Sequence, residues 1–199
     1  MKNLMQVEAI NEAIHEEMEK DEAVYYMGED VRASIYGASK DLFSKYGEKR
    51  VLDTPLSENG FIGAAVGSSL VGMRPVVETL TSFMWVAMDQ LVSQLAKMKY
   101  MFGGQQKAPI IIRLIVGRGW GQGPTHSQNF QNMFASVPGL KIYIPSFPST
   151  IRDILHASTK SSDPVLIIEH RWLHYMNEKI DFKAKPKKID CIKKIKNGK

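Results

Sequence analysis

The chain has 199 residues, enough for one core, and its 44% hydrophobic and 24% charged content is that of an ordinary globular protein. No apolar run approaches the roughly 20 residues of a membrane span. Met1-Lys2-Asn3-Leu4 leads into an acidic amphipathic stretch and not a signal peptide, and the single cysteine, Cys191, excludes an internal disulfide framework. Both features point to a reducing, cytoplasmic setting. The formal charge of +5 is concentrated in residues 179–199, where nine lysines stand against Asp181 and Asp190. The rest of the chain is mildly acidic and offers no basic, aromatic-interleaved surface for nucleic acid.

Residues 4–19 place Leu4, Val7, Ile10, Ile14 and Met18 at helical spacing with glutamates opposite, which predicts an amphipathic helix. Ala23 to Met27 reads as a buried strand ended by Gly28, and Glu29 and Asp30 follow at its C-terminal end. Ile35 to Tyr46 reads as a helix stopped by Gly47, then Arg50-Val51-Leu52 as a short strand. A helix over Gly60–Gly72, a strand over Pro75–Leu80 and a long helix over Trp85–Met101 come next. Ala108–Val116, Ile142–Ile144 and Val165–Ile168 are apolar runs suited to a parallel sheet covered on both faces, with a helix over Thr150–Thr159 between the last two. Strands alternating with helices predict an α/β fold: a doubly wound, mainly parallel sheet flanked by helices. The domain is expected to span residues 1–178, followed by a basic linker or tail over 179–199.

Two stretches carry the chemistry. Asp53-Thr54-Pro55-Leu56-Ser57-Glu58 is a turn set by Pro55, and it leads into a helix bearing Gly60, Ala64 and Ser68 on one row and Gly63 and Gly67 on the next. Glycine inside a helix costs roughly 1 kcal/mol relative to alanine, so this bare face implies close approach of another backbone. Glu58 stands between Leu56 and Gly60-Phe61, surroundings that would desolvate a carboxyl; the alternative is a solvated helix-start glutamate. Gly117-Arg118-Gly119-Trp120-Gly121-Gln122-Gly123 leaves the central strand and runs into Pro124-Thr125-His126-Ser127-Gln128. Its glycines could cradle phosphate or let a loop close on a ligand, but no Gly-Lys-Ser/Thr of a Walker loop follows.

The Asp53–Glu58 turn with its small-residue helix resembles the beta subunit of thiamine-diphosphate-dependent 2-oxo acid dehydrogenases. These are the decarboxylating components of the pyruvate, branched-chain and acetoin dehydrogenase complexes, in the transketolase superfamily. The resemblance covers about residues 1–175 and implies a pyrimidine-binding domain. It implies that Glu58 hydrogen-bonds N1′ of the cofactor's aminopyrimidine and promotes loss of the thiazolium C2 proton. It also implies that Phe83 packs on that ring, that Leu56 and Glu29 border the cofactor, and that His126 handles protons at the substrate. Thr125 stands where the family usually has glutamine, Val86 where pyruvate-type members commonly do, and Arg118 and Trp120 make the glycine loop bulky. Carbonyls at Ile110, Ser158, Thr159, Ser161 and Asp163 match those that hold potassium in some members.

The Gly-Asp-Gly segment with which the family holds diphosphate and Mg²⁺ is absent from this sequence. An alpha subunit is therefore expected to supply it, in an α2β2 assembly that also works with a lipoyl-bearing acyltransferase component. The Gly60–Gly72 helix is the expected site of self-association. Full-length beta subunits continue into a second domain, so the chain is expected to be either a fragment or a single-domain subunit. The alternatives are the small subunit of a split transketolase or of a sulfonate/phosphonate decarboxylase, or a non-catalytic assembly subunit.

Overall fold

The computed structural model describes residues 1–117, 119, 121–187 and 189. Arg118, Trp120, Lys188, Asp190 and Cys191 with the rest of the lysine-rich tail lie outside the described residues. Six strands form one wholly parallel sheet: β2 (Val24–Gly28), β3 (Val51–Asp53), β4 (Arg74–Leu80), β5 (Ile111–Val116), β6 (Lys141–Tyr143) and β7 (Val165–His170), in the spatial order β3-β2-β4-β5-β7-β6. Central strands of such a sheet are covered on both faces, and β2 and β5 are buried at every residue.

Alternate residues of each strand feed two cores. Tyr25, Met27, Val77, Ile112, Leu114, Leu166 and Ile168 pack under α3 (Glu58–Leu70) and the helical segment that follows residue 83. Val24, Tyr26, Val76, Ile111, Val165 and Ile167 pack under α1 (Gln6–Lys20) and α6 (Pro148–Thr159). The α3 helix turns Phe61, Ile62, Ala65, Val66 and Ser69 inward, which leaves Gly60, Ala64 and Gly67 exposed on its far side. A Cβ built at Gly67 meets nothing within 4 Å, so the bare row faces open space in the single chain.

Several elements depart from the sequence pattern. The expected helix over 35–46 shrinks to α2 (Leu42–Tyr46), because Asp30, Ser34 and Asp41 adopt φ of 54°, 54° and 60° and wind residues 29–41 into turns. The expected long helix from Trp85 to Met101 is a 3₁₀ turn at Thr81–Trp85, a π-helical stretch at Asp89–Leu95 and a short α4 (Ala96–Met101). In the π stretch the Ala96 N–H reaches back to the Leu91 carbonyl, widening the coil by one residue. The short α5 (Gln131–Ala135) lies between β5 and β6. The N-terminus is not helical at once: β1 (Lys2–Met5) pairs antiparallel with β8 (Asn177–Ile180), with Lys2 opposite Ile180. Ordered pairing thus runs past the domain boundary expected at residue 178. No helix among the described residues is long and apolar enough to cross a membrane.

Candidate functional site

β2, β4 and β5 are neighbours, and the loops leaving their C-terminal ends converge. In open α/β sheets this edge is where ligands bind. Glu29 and Asp30 follow β2, Phe83 lies in the 3₁₀ turn after β4, and His126 closes the glycine-rich loop after β5. Together with Ile35, Tyr36, Leu56, Glu78, Thr79 and Leu80 they line a cavity of about 160 Å³.

His126 is fixed from three directions. Its ring stands edge-on to Phe83, with centroids 5.0 Å apart and planes at 86°. Its Nδ1 lies 3.1 Å from Thr125 Oγ1. A Cβ on Gly117 would stand 2.3 Å from the His126 carbonyl oxygen, so the two ends of the loop touch only because residue 117 is glycine. Ser127 Oγ adds a hydrogen bond to the Gly123 carbonyl at 2.8 Å.

Glu29 is one of three acids on the cavity wall, with Asp30 and Glu78. Burial, then the nearby charges of Glu58 and Asp30, push its carboxyl up to about 7. Its Oε1 is buried with no hydrogen-bond partner among the described residues, a costly state for a polar atom unless a ligand completes it. Glu58 opens α3 and is 8% exposed; it does not line the cavity itself but stands close enough for its charge to act on Glu29. Leu56 reaches the cavity while remaining 83% exposed, an apolar side chain left for something else to cover.

Beneath the cavity lies a charged group that the expected site did not include. Arg113, fully buried in β5, donates from Nε and Nη2 to Glu169 at 2.8 and 2.6 Å and from Nη1 to Glu78 at 2.5 Å. Tyr26 Oη donates to the same Glu78 oxygen at 2.6 Å, and His174 Nε2 lies 3.1 Å from Glu169. Burial raises the Tyr26 hydroxyl well above its usual range. Burial would also raise Glu169, but the Arg113 charge and the bonds from His174 and Arg113 outweigh it and hold the carboxyl near 2. Glu78 belongs to both the charged group and the cavity wall. The sequence did carry a signal for it: Arg113 interrupts the apolar run Ile110–Val116, and a charge in a doubly covered strand needs a buried partner.

Of the five positions matched to potassium, Asp163 lines a cavity of about 900 Å³ that Lys99 and Lys141 also border. The chain's own cations reach two of the five positions. Arg74 Nη1 donates to the Thr159 carbonyl at 2.5 Å, and Lys99 and Lys141 pair with the Asp163 carboxylate at 2.6 and 2.9 Å. The Ile110 and Ser158 carbonyls accept from Val165 and Ser161 N–H groups, and Asp163 accepts from Ser161 Oγ. Positive charge from Arg74 at Thr159 and from Lys99 and Lys141 at Asp163 disfavours a further monovalent cation there.

Residues 2–175 match the family "Transketolase, pyrimidine binding domain". The acetoin:2,6-dichlorophenolindophenol oxidoreductase subunit beta of Cupriavidus necator is 40% identical over 179 residues, covering 83% of this chain and 53% of that protein. The pyruvate dehydrogenase E1 component subunit beta of Gracilaria tenuistipitata is 38% identical, covering 90% and 57%. The 2-oxoisovalerate dehydrogenase subunit beta of Bacillus subtilis is 39% identical, covering 83% and 51%. A structure described as a split gene transketolase, inactive beta4 tetramer, shares the fold with a TM-score of 0.67 at 19% identity, covering 84% of this chain and 52% of that one. The chain spans about half the length of the curated relatives it matches. With its parallel sheet and its converging C-terminal loops, the chain belongs to the transketolase pyrimidine-binding domain family.

Proposed function

We propose that this chain is the pyrimidine-binding part of a beta-type subunit in a thiamine-diphosphate-dependent 2-oxo acid or acetoin dehydrogenase, active only with an alpha-type partner. The observation that carries this reading is the pairing of the orphaned Glu29 carboxyl oxygen with the Phe83–His126 wall in one cavity at the C-terminal sheet edge. Those residues suit an aminopyrimidine, which is flat, apolar on its faces and rich in hydrogen-bonding nitrogens at its edge. The cavity is smaller than the roughly 300–1,000 Å³ of a site that encloses a whole ligand. One end of a larger molecule would be held here, with its diphosphate and Mg²⁺ on the partner. When bound, thiamine diphosphate supplies an electron sink for the carbon that loses carboxylate or an acyl bond.

Each residue then has a task. Phe83 and Leu56 exclude water from the ring's faces. Glu58, buried at the start of α3 beside the cavity, would share a proton with the pyrimidine N1′ of a bound cofactor. Glu29, which titrates near neutrality, holds or releases a proton beside Glu58 without opening the site to solvent. His126, oriented by Phe83 and Thr125, gives or takes a proton at the substrate oxygen. A lipoyl-bearing acyltransferase would receive the acyl product.

A second reading is a self-associated, non-catalytic subunit. The exposed Gly60, Ala64 and Gly67 row on α3 favours it, since the same face could meet a copy of itself. The two part on one experiment: co-expression with candidate alpha-type partners, then calorimetric titration with thiamine diphosphate and Mg²⁺ and assay with 2-oxo acids. Cofactor binding and turnover by the wild-type assembly, with binding but no turnover in Glu58→Ala, supports the enzyme. If wild type and Glu58→Ala behave alike, Glu58 is a helix-start carboxylate and the catalytic reading falls.

A further inference from the structure

The turn after β7, residues Arg171–Tyr175, is a 3₁₀ helix that does not itself line the cavity. It reaches the glycine-rich loop at two places. Arg171 Nη1 donates to Gln122 Oε1 at 3.2 Å, and the same guanidinium lies over the ring of Tyr36, 5.0 Å from its centroid. Tyr36 is a wall of the cavity. The indole of Trp172 lies directly against Gly119: a Cβ there would stand 3.0 Å from Nε1 and 3.2 Å from Cε2 and Cζ2.

The other side of the turn is tied to the interior. His174, 3% exposed, lies 3.1 Å from Glu169, which Arg113 grips with two hydrogen bonds. The Met176 carbonyl accepts from Gln6 N–H at the start of α1. One end of the turn is therefore as rigid as the sheet, and the other presents an arginine and a tryptophan to the loop.

The loop needs such support. Gly119, Gly121 and Gly123 hold φ of 87°, 72° and 86°, and a stretch this rich in glycine loses the most conformational freedom when it is fixed. Among the described residues, Ser127 to Gly123 and Thr125 to His126 are internal bonds that fix its base. Phe83 holds the histidine end, while Arg171 and Trp172 hold the crown.

We propose that Arg171 and Trp172 are positioning residues: seated on the buried Glu169–His174 base, they fix the glycine-rich loop and thereby set His126 over the cavity. The catalytic meaning of that placement rests on the proposed function, but the placement itself does not. Gly119 is part of the device, since any side chain there would displace the indole. Trp172 is 63% exposed, so its loss opens no core cavity.

The test is site-resolved carbethoxylation of the 199-residue chain by diethylpyrocarbonate, read by peptide mass spectrometry, in wild type, Arg171→Ala, Trp172→Ala and the conservative pair Arg171→Lys and Trp172→Phe. The expected result is that His126 reacts about fivefold faster or more in each alanine variant, as the loop's open population grows. Buried His156, on the far face, should be unchanged, and the conservative variants should stay near wild type. An unchanged His126 rate in both alanine variants overturns the proposal. So does an equal rise at His126 and His156, which would make the turn a general structural prop. In the partner-assembled protein the same alanine variants should lower kcat while calorimetric affinity for thiamine diphosphate stays put. Failure of the enzyme reading would remove turnover from wild type as well and leave the labelling result intact.

Discussion

Glu29, on the wall of the cavity just after β2, and Glu58, buried at the start of α3, stand close enough that the charge of Glu58 raises the proton affinity of Glu29. The fold builds this pairing from elements that are distant in sequence. A raised folded-state pKa means that folding favours the protonated form. Stability is therefore lost as pH climbs from the usual carboxylate value of 4.5 through about 7. Glu29→Gln should raise the melting temperature at pH 8 and change it little at pH 4. Thermal unfolding across that range checks the sign, and a stabilisation confined to acid pH would contradict it.

The opposite case sits between α1 and α6. Burial would raise Glu17, but hydrogen bonds from His156, Thr159 and Lys20 outweigh it and hold the carboxyl near 2. The folded pKa is depressed, so its contribution is complete above the unfolded value of 4.5 and disappears as pH falls toward 2. Glu17→Gln is expected to lower the melting temperature at pH 7, with the difference from wild type shrinking steadily below pH 4.5.

Arg113 carries the heaviest electrostatic consequence. Arg113→Met strands Glu78 and Glu169 in the interior, and removing one partner of a buried ion pair costs about 3–5 kcal/mol. Neutralising all three positions, Arg113→Met with Glu78→Gln and Glu169→Gln, should recover most of that loss. Urea denaturation of the single and triple variants decides it: equal destabilisation would mean that the charges matter less than the shape they fill.

Phe83→Leu keeps an apolar residue but removes the edge-on partner of His126. Aromatic pairs contribute about 0.5–1.5 kcal/mol beyond their buried area, so thiamine diphosphate affinity in the partner-assembled protein should fall up to about tenfold. Calorimetric titration of the two proteins provides the comparison.

Gly67→Leu places a large side chain where a Cβ now meets open space. The isolated chain should fold, with stability equal to or slightly above wild type because leucine suits a helix interior better. Assembly should fail if α3 meets another backbone. Sedimentation of the co-expressed proteins would show it, and a normal complex from this variant would remove the bare row from the interface.

The parallel sheet was legible because a strand buried on both faces has one sequence signature, an unbroken apolar run such as Ile110-Ile111-Ile112 or Val165–Ile168. The glycine loop and His126 were legible from composition and order, and the structure does bring His126 and Phe83 together. Segment 29–41 was not, since its apolar spacing mimics a helix while positive φ at Asp30, Ser34 and Asp41 depends on tertiary packing. That misreading hid Tyr36 as a cavity wall. β8 was invisible for another reason: Asn-Glu-Lys-Ile has no strand-like alternation, and its order comes from pairing with β1 and from Ser149 of α6, which donates to Glu178. Glu78 and Glu169 look like ordinary strand acids until the fold sets them on either side of Arg113.

The clasp between β1 and β8 ties the first residues of the chain to those about 175 positions later, with Lys2 opposite Ile180 and Met5 opposite Asn177. A two-stranded ribbon has no third strand to pair with either strand once the other leaves. Backbone amides of Lys2–Met5 and Asn177–Ile180 should therefore exchange with solvent at a common rate, as one opening event. Both ends of the domain would then come loose together, while the six-stranded sheet behind them stays closed.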